Sequence, residues 1–399
     1  MSWKKRNQAN ISSMFINTKH FNSSAMENGV SMREKEGSPS PPSPSSSSPD
    51  TGFQEYLTDT LNKGMLAIML SIGHRTKLFD VISSLSNPST SEEISLQAKL
   101  NERYVREWLG AMVVSRVIEY DPAHKTYWFD KEKMNSLTRE SGSYNFAASM
   151  QWIPILAQVE DDIVNCFQKG GGVHYDSFKR FHEVMAEESA QTVVAGLFDF
   201  ILPLIPGLEE NLTRGISVLD IGCGSGHAIN TMAARFPNSK FVGYDISEEA
   251  TNKARSDGRR LGNENVSFEV NDVSNLHVMK TDFDLIVAFD AIHDQRDPAN
   301  VLKNIATIIN PDGGTFLMQD ILGSSSLENN INHPLGPFLY TISCMHCMSV
   351  SLAQNGAGLG AMWGKEKAIE MLKNAGFTSV DVKTLAHDFQ NYYYIARVS

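Results

Sequence analysis

The sequence is poor in cysteine and has no long, uninterrupted apolar run. Four cysteines in 399 residues are too few for a disulfide scaffold and indicate a reducing compartment. The apolar stretch Met65–Leu70 is far too short to cross a bilayer, and Val193–Leu208 is interrupted by an aspartate and two prolines. No apolar segment follows the basic residues Lys4–Arg6, as a secretory signal would require. We therefore expect a cytoplasmic protein without a membrane partner.

Basic residues are also in short supply. The chain has 35 Lys and Arg against 46 Asp and Glu, a formal net charge of −11. Because a surface that wraps nucleic acid has to be basic, this balance disfavours nucleic acid as the main partner. The 41% of hydrophobic residues can bury a substantial core. At roughly 150 residues per domain, the length predicts two or three folded units.

The N-terminal region lacks acidic residues. The first of them is Glu27, and residues 37–50 consist almost entirely of Ser and Pro. Such a segment has no apolar surface to offset the entropy cost of ordering, so we expect residues 1–52 to be a disordered tail or linker. A basic, acid-poor, Ser-containing start also resembles a mitochondrial transit peptide, which leaves a mitochondrial location as the alternative.

Residues 53–140 have the pattern of a winged helix. Apolar residues occur all round Tyr56–Ser84, which predicts one long, buried helix. Thr90, followed three residues later by Glu93, has the spacing of a capping box at the start of a second helix. A third helix is predicted from Asn101, and the two strands of a hairpin follow at Val117–Tyr120 and Thr126–Phe129.

The charges of this segment bear on whether it binds DNA. Residues 91–140 hold eight basic and nine acidic residues, and the candidate recognition helix mixes Arg103 and Arg106 with Glu102 and Glu107. Contacts to phosphate provide most of the non-specific affinity for DNA, and this segment lacks the basic surface that they need. We therefore expect the N-terminal domain to have a structural role and to form a homodimer, with DNA binding as the alternative.

The pattern changes in the second half of the chain. Residues 141–212 look mainly helical and predict a connector that covers a pocket. From residue 213 to residue 399, short apolar strands alternate with helices, which predicts a parallel, doubly wound α/β sheet with its ligand at the carboxyl ends of the strands. The predicted strands are Ile216–Ile221, Lys240–Asp245, Val266–Val270, Phe283–Phe289 and Thr315–Gln319, and the predicted helices are Ala228–Phe236, Glu248–Leu261 and Ala299–Ile309.

A glycine-rich loop follows the first of these strands. Gly222, Gly224 and Gly226 come soon after Asp220 and directly before a predicted helix, and glycine lets a ligand approach the main chain. The nicotinamide fingerprint needs its third small residue where His227 stands, and the Gly-Lys-Ser/Thr of a phosphate-binding loop is missing. The loop therefore predicts a site for a nucleoside without a pyrophosphate.

Acidic residues follow the next two strands. Asp245 ends the second strand, where its carboxylate can accept protons from both ribose hydroxyls, and Asp272 follows the third, where it can accept from an exocyclic adenine amine. Either residue alone is usually a turn or cap residue. Together with Asp220 and the glycine loop, they predict a nucleoside site.

These motifs resemble those of class I S-adenosylmethionine-dependent methyltransferases. The resemblance rests on DIGCGSG at 220–226, on Asp245 and Asp272, and on the turn Asn310–Gly314. The winged helix is similar to that of small-molecule O-methyltransferases. A branch of winged-helix methyltransferases is similar to this chain at three further segments, Met345–Ala353, Gly358–Gly360 and Trp363-Gly364.

The resemblance implies S-adenosylmethionine as the cofactor and a Rossmann-like sheet of seven strands in the order 3-2-1-4-5-7-6, with the last strand antiparallel. The closing strands would be Ser379–Thr384 and Tyr392–Arg397. The residues that would contact the cofactor are Asp220, Gly222, Gly224, Gly226, Asp245, Ile246, Asp272, Val273 and Asp290.

His293, just past the fourth predicted strand, is the candidate catalytic residue. An imidazole titrates near neutrality and can take a proton from a hydroxyl, thiol or amine. Its His-Asp motif resembles that of plant-type O-methyltransferases, although Gln295 replaces the aromatic residue that usually follows. The alternative is a histidine that caps or hydrogen-bonds the loop. The Asn/Asp-Pro-Pro-Tyr/Phe motif of methyltransferases that act on amines of nucleic acid bases and proteins is missing, which disfavours those substrates.

Cys344, His346 and Cys347 are residue types that bind zinc. No second cysteine pair completes a tetrahedral site, so we expect no metal. The segment is interpreted as pocket lining or helix packing, with His346 and Trp363 as candidates for the substrate cavity.

As a whole, the sequence predicts S-adenosylmethionine-dependent methyl transfer to an O, S or N atom of a small molecule. The alternative is a winged-helix transcriptional regulator that senses S-adenosylmethionine without catalysis.

Overall fold

The computed structural model describes residues 51–275 and 282–399. The predicted tail and the transit-peptide alternative lie outside the described residues, except for Thr51 and Gly52, which begin a helix that ends at Arg75. The chain divides into two units, residues 1–55 and 56–399. The description below concerns the second unit.

The N-terminal part has the predicted winged-helix outline. Phe79 and Trp108 meet edge to face in its core, with ring centroids 5.3 Å apart, and the Trp108 indole N–H donates to the Met69 carbonyl at 2.9 Å. The two wing strands are antiparallel. After the helix Thr51–Arg75 the elements are the helices Leu78–Ser84, Ser91–Ala98 and Glu102–Val114 and the strands β1 (Glu119–Asp121) and β2 (Thr126–Trp128).

The predicted capping box is confirmed. Thr90 accepts a hydrogen bond from the Glu93 N–H through its side chain, and the Glu93 carboxylate accepts from the Thr90 N–H at 2.8 Å. The prediction of one long helix over Tyr56–Ser84 is wrong. The first helix stops at Arg75, because Lys77 adopts a left-handed backbone with φ of 62°, which a continuous helix cannot contain.

Residues 131–214 are mainly helical, as predicted. The segment Gly170–Gly172 interrupts the helices, and a Cβ atom at Gly172 would lie 1.9 Å from the Ser349 carbonyl oxygen, so this turn packs against the second half of the chain. The α-helices are Lys131–Met134, Phe146–Ser149, Trp152–Ala157, Glu160–Lys169, Phe181–Ser189 and Leu208–Arg214, with π-helical turns at Ala190–Val194 and Leu197–Ile201 and 3₁₀ turns at Arg139–Tyr144, Tyr175–Ser177 and Leu202–Leu204.

A seven-stranded sheet forms the second half of the chain. Its spatial order is β5-β4-β3-β6-β7-β9-β8, and β9 runs antiparallel to both of its neighbours. This is the order 3-2-1-4-5-7-6 that the resemblance implied, so that expectation is confirmed. The strands are β3 (Ser217–Ile221), β4 (Lys240–Asp245), β5 (Val266–Val270), β6 (Leu285–Phe289), β7 (Thr315–Ile321), β8 (Ser379–Leu385) and β9 (Asp388–Arg397).

Helices cover both faces of the sheet, and each face has its own apolar layer. Val218 and Leu317 belong to one layer, whereas Leu219 and Met318 belong to the other, because successive side chains of a strand point to opposite faces. The helices are His227–Arg235, Glu248–Leu261, Pro298–Ile308, Leu327–Asn330, Gly336–Ile342, Met348–Ala353 and Gly364–Ala375, with a 3₁₀ turn at Val273–Asn275 and a π-helical turn at Ser343–Cys347.

Within residues 51–275 and 282–399, no helix combines the length and the apolar character that crossing a bilayer requires.

Two glycines of the first helix provide a test of the packing in the winged-helix core. A Cβ atom at Gly73 would lie 2.5 Å from the Trp108 ring and 2.8 Å from the Phe79 ring, whereas one at Gly64 meets nothing within 4 Å. We expect Gly73→Ala to lower the free energy of unfolding by about 1–3 kcal/mol through overpacking. The control Gly64→Ala should raise it by about 0.5–1 kcal/mol. Urea denaturation followed by tryptophan fluorescence measures both changes, and equal effects of the two variants would contradict this packing.

Candidate active site

The loop after β3 reverses the chain through three glycines with left-handed backbone. Gly222, Gly224 and Gly226 have φ values of 68°, 51° and 68°, which side chains other than glycine rarely adopt. A Cβ atom at Gly222 would lie 2.5 Å from Cβ of Ala291, and one at Gly226 would lie 2.7 Å from the Phe268 ring. Glycine is therefore required here both for the turn and for its close packing.

Asp245, at the end of β4, holds this loop in place. Its Oδ2 accepts a hydrogen bond from the Gly224 N–H and its Oδ1 from the Ser247 N–H, both at 2.8 Å. The Gly222 N–H donates to the carbonyl oxygen of Tyr244 at 2.8 Å. Because each carboxylate oxygen has two lone pairs, Asp245 keeps free acceptor capacity on both oxygens.

Two adjoining cavities, of about 150 and 510 Å³, lie at the carboxyl edge of the sheet. The structure brings most of the predicted site residues together there. Both cavities are lined by Gly222, Gly224, Asp290 and His293; the narrower one is also lined by Asp220, and the wider one by Asp245, Ile246, Val273 and His346.

Three predicted site residues line neither cavity: Gly226, Asp272 and Trp363. Asp272 accepts from the Ser274 N–H at 2.9 Å, from the Ser274 hydroxyl at 2.6 Å and from the Asn275 side-chain amide at 2.7 Å. These bonds make it the cap of a 3₁₀ turn, while the neighbouring Asn271 and Val273 line the wider cavity. A role for Asp272 in adenine binding stays a prediction.

Trp363 was expected at the substrate cavity and is instead buried in the apolar layer behind it, with 5% of its surface exposed. Its indole N–H donates to Asp320 Oδ1 at 2.9 Å. Asp320 in turn holds His293, whose Nδ1 lies 2.9 Å from the same oxygen. Trp363 therefore contacts Asp320, which holds His293, and does not form part of the cavity wall.

The pair of His293 and Asp320 is fully enclosed, with exposures of 2% and 0%. Burial on its own lowers the pKa of His293, but the negative charge of Asp320, together with the Cys347 thiol, raises this pKa well above its ordinary value. The bond to Asp320 involves Nδ1, and the Cys347 side chain, which lines both cavities, also forms a hydrogen bond with His293. A histidine held in this way can exchange one proton at a fixed position.

Asp290 faces both cavities from the loop after β6. Its backbone is left-handed, with φ of 54°, and its N–H donates to the Gln319 carbonyl at 3.0 Å. Burial is the main reason that its pKa rises to about 7. Its Oδ1 is buried without a hydrogen-bond partner among the described residues and lies 3.7 Å from His293 Nδ1.

Asp220 is 2% exposed at the end of β3. Burial raises its pKa well above the ordinary value, and the nearby negative charge of Asp245 adds to the rise. Asp220 therefore presents to the narrower cavity a carboxyl group whose ionised form a cation beside it would stabilise.

His346 and Cys347, from the segment in which we expected no metal, line the wider cavity. His346 stacks on Phe181, with ring centroids 4.1 Å apart and planes at 12°, and burial lowers its pKa to about 3. A different group, Asp290, His293 and Asp320, has ligand atoms that all lie within 4.8 Å of one another. The Asp320 oxygen that faces His293 already accepts from Trp363 and from the Ile321 N–H at 2.8 Å, which favours a hydrogen-bonded network over a metal site.

Several wall residues were not identified from the sequence. Asp320 stands at the carboxyl end of β7, so the same signal that marked Asp245 could have found it. Gln319 and Asn391 come from β7 and β9, and their proximity depends on strand order. Glu188 lies in the connector helix Phe181–Ser189, where no motif marks it.

Two family models match the chain. Residues 64–139 match the Rv2258c-like winged HTH domain, and residues 212–376 match a methyltransferase domain. The second match contains the glycine loop, Asp245 and His293.

Curated relatives are similar over about a third of the chain. A ubiquinone biosynthesis O-methyltransferase of Coxiella burnetii is 27% identical over 136 residues, which are 34% of this chain and 52% of that protein. A malonyl-[acyl-carrier protein] O-methyltransferase of Neorickettsia risticii is 34% identical over 121 residues, 30% of this chain and 46% of that protein. The chain thus spans about half the length of the curated relatives that it matches.

The fold is shared with solved structures over most of the chain. Human N-acetylserotonin methyltransferase in complex with S-adenosylmethionine superimposes with a TM-score of 0.64 at 16% identity, covering 88% of this chain and 99% of that one. At this identity the likeness establishes the fold. The two family matches show that the chain carries a winged helix-turn-helix domain over residues 64–139, followed by a methyltransferase domain over residues 212–376.

Proposed function

We propose that this protein transfers the methyl group of S-adenosylmethionine to a nucleophilic O, S or N atom of a small molecule. The observation that carries the proposal is the hydrogen bond from the Gly224 N–H to Asp245 at 2.8 Å. It holds the glycine loop beside a cavity of about 510 Å³ that His293 also lines. The glycine loop, the carboxylate of Asp245 that would accept from the ribose, and the candidate base His293 thus lie at one edge of the sheet. Doubly wound folds bind their ligands at this edge.

The residues at this edge fit a nucleoside. Asp245 has lone pairs left for two ribose hydroxyls, and Ile246 and Val273 provide apolar surface in the same cavity. A Cβ atom at Gly224 would meet no protein atom within 4 Å, so the loop leaves open space for a ligand there. When bound, the sulfonium supplies an activated methyl group, so the protein has mainly to align the acceptor and to accept its proton.

His293 is proposed to accept that proton or to orient the acceptor. As an imidazolium paired with Asp320 it cannot act as a base, so the neutral form has to be populated during the reaction. A positive charge in the cavity disfavours the charged imidazole and lowers its pKa. The buried Asp320 fixes the ring through Nδ1 at 2.9 Å, which keeps the proton-accepting nitrogen in one place.

The N-terminal helix supports the expectation of a homodimer. Leu57, Leu61 and Met65 are exposed to 50%, 61% and 56%, and Ile68 and Ile72 continue the same stripe at 36% and 40%. These residues recur every three or four positions and therefore share one side of the helix. An apolar stripe of this kind is typical of a protein–protein interface.

The alternative of a DNA-binding regulator is disfavoured by the candidate recognition helix Glu102–Val114. Its two arginines form ion pairs within the helix, Arg103 with Glu107 and Arg106 with Glu102. Arginines paired in this way contribute little attraction to phosphate.

The cofactor site is tested by Asp245→Asn. The variant loses the negative charge that accepts from Gly224 and from the ribose, so we expect the affinity for S-adenosylmethionine to fall on the order of 100-fold. Isothermal titration calorimetry measures it. The control Asp381→Asn removes an exposed carboxylate of β8 and should bind as the unchanged chain does. Equal affinity of the two variants would contradict the assignment.

The catalytic assignment is tested by His293→Gln. Removal of the imidazole should lower kcat by about 100-fold or more and leave the dissociation constant of the cofactor unchanged. A labelled-methyl transfer assay gives kcat, and calorimetry gives the affinity. The control His124→Gln changes a histidine of the wing that is 78% exposed. If kcat is the same in both variants, His293 is not the proton acceptor.

The dimer is tested by Leu61→Asp. A charge in the middle of the apolar stripe should give a monomer, because an unpaired carboxylate cannot be buried in an apolar interface without a large cost. Light scattering coupled to size-exclusion chromatography gives the mass. The control Leu96→Asp changes a leucine that is 80% exposed on another helix of the same domain and should remain dimeric. A monomeric unchanged chain refutes the proposal.

A further inference from the structure

Among the residues that line the two cavities, carboxyl groups are the main charged groups, and only histidines, His293 among them, can carry a positive charge. Neither cavity is lined by a lysine or arginine within the described part of the chain. Carboxyl groups line both of them: Glu188, Asp220 and Asp290 in the narrower cavity, and Asp245, Asp290 and Asp294 in the wider one. Such walls attract cations and repel carboxylates and phosphates, because opposite charges attract strongly where little water screens them.

Glu188 is a carboxyl group of the narrower cavity to which we assign no role in cofactor binding. It comes from the helix Phe181–Ser189 and accepts from the Trp152 indole N–H at 2.5 Å. No ion pair joins it to a basic side chain among the described residues, and removal from water raises its pKa. The ionised form of Glu188 would therefore be stabilised by a cation bound next to it.

Two amide side chains of the narrower cavity add unused acceptors. Gln319 and Asn391 are exposed to only 2% and 6%, and their side-chain oxygens have no hydrogen-bond partner among the described residues. The amide nitrogen of Asn391 donates to both carboxylate oxygens of Asp388 at 3.0 Å, which fixes the orientation of its oxygen. Buried acceptors without a donor are costly, and a ligand rich in N–H groups would satisfy them.

Aromatic rings complete this wall. Trp152, Phe289 and Phe338 line the narrower cavity together with Glu188. The faces of such rings attract organic cations. Carboxylate, amide oxygens and aromatic faces are complementary to an ammonium group on an organic skeleton, which has several donors and no acceptor.

We propose that the methyl acceptor is an organic amine whose ammonium group is bound by Glu188, Gln319 and Asn391. The ammonium nitrogen has no lone pair, so it first gives one proton to neutral His293, which lines the same cavity. The amine nitrogen then forms the bond to the methyl carbon while the carbon–sulfur bond of the cofactor breaks, and S-adenosylhomocysteine leaves. The inference rests on the proposed methyltransferase function and names its substrate class. The three residues that bind the ammonium group come from the connector helix, β7 and β9, whereas the nucleoside is assigned to the glycine loop and Asp245. The two ligands therefore use different residues and meet where the narrower cavity reaches Gly222 and Gly224.

The test compares three ligands with one skeleton: phenethylamine, 2-phenylethanol and phenylacetate, with tryptamine and its alcohol and acid counterparts as a second set. Each is titrated calorimetrically into the full chain saturated with S-adenosylhomocysteine. We expect the amines to bind at least about tenfold more tightly than the alcohols and acids, because a charge-assisted hydrogen bond to Glu188 is lost in both.

Two glutamates of the same helix provide the matched variants. Glu188→Gln should weaken amine binding about tenfold and leave S-adenosylhomocysteine binding unchanged. Glu183→Gln changes a side chain that is 65% exposed and paired with Arg180, and both ligands should bind it as they bind the unchanged chain.

The proposal is overturned if no amine binds, if the alcohols or acids bind as tightly as the amines, or if the Glu188 and Glu183 variants behave alike. A chain that fails to bind S-adenosylhomocysteine at all would contradict the proposed methyltransferase function itself, and the inference with it. A chain that binds S-adenosylhomocysteine but shows no preference for amines contradicts the inference alone.

Discussion

The hydrogen bond between the Gly224 N–H and Asp245, 2.8 Å long, connects the two halves of the proposed nucleoside site. It joins the loop after β3 to the end of β4, two neighbouring parallel strands. The loop can take this path because Gly222 and Gly226 are left-handed and have no Cβ that would meet Ala291 or Phe268. The Asp245 carboxylate thus accepts hydrogen bonds from the backbone of the loop and still has lone pairs for a ligand.

The proposed catalytic part of the site depends instead on a carboxylate that is fully buried, that of Asp320. Asp320 is 0% exposed, and one of its oxygens accepts from the Trp363 indole, from the Ile321 N–H and from His293. A buried carboxylate is stable only when it is paired and hydrogen-bonded. This network orients His293 from behind, and the carboxyl groups of Glu188 and Asp290 line the narrower cavity that His293 also lines.

The fold and the cofactor loop could be predicted from the sequence because their signals are local. Alternating strands and helices, the glycines after Asp220 and the capping box at Thr90 each involve a few consecutive residues. The break at Lys77 was missed because apolar periodicity does not report a single left-handed residue. The role of Asp272 in adenine binding stays a prediction, and its carboxylate accepts hydrogen bonds from the neighbouring Ser274 and Asn275. Gln319, Asn391 and Glu188 were missed because only the order of the strands and the course of the connector bring them to one cavity. Asp320, which lies behind His293, was missed although it stands at the carboxyl end of a strand.

The account is tested most directly by the position of a bound nucleoside. A crystal structure of the chain with S-adenosylhomocysteine should show the ligand along Gly222–Gly226, with both ribose hydroxyls within about 2.5–3.0 Å of the Asp245 carboxylate. The thioether sulfur should face His293. A ligand bound elsewhere, or an Asp245 carboxylate that keeps only its bonds to Gly224 and Ser247, would contradict the account.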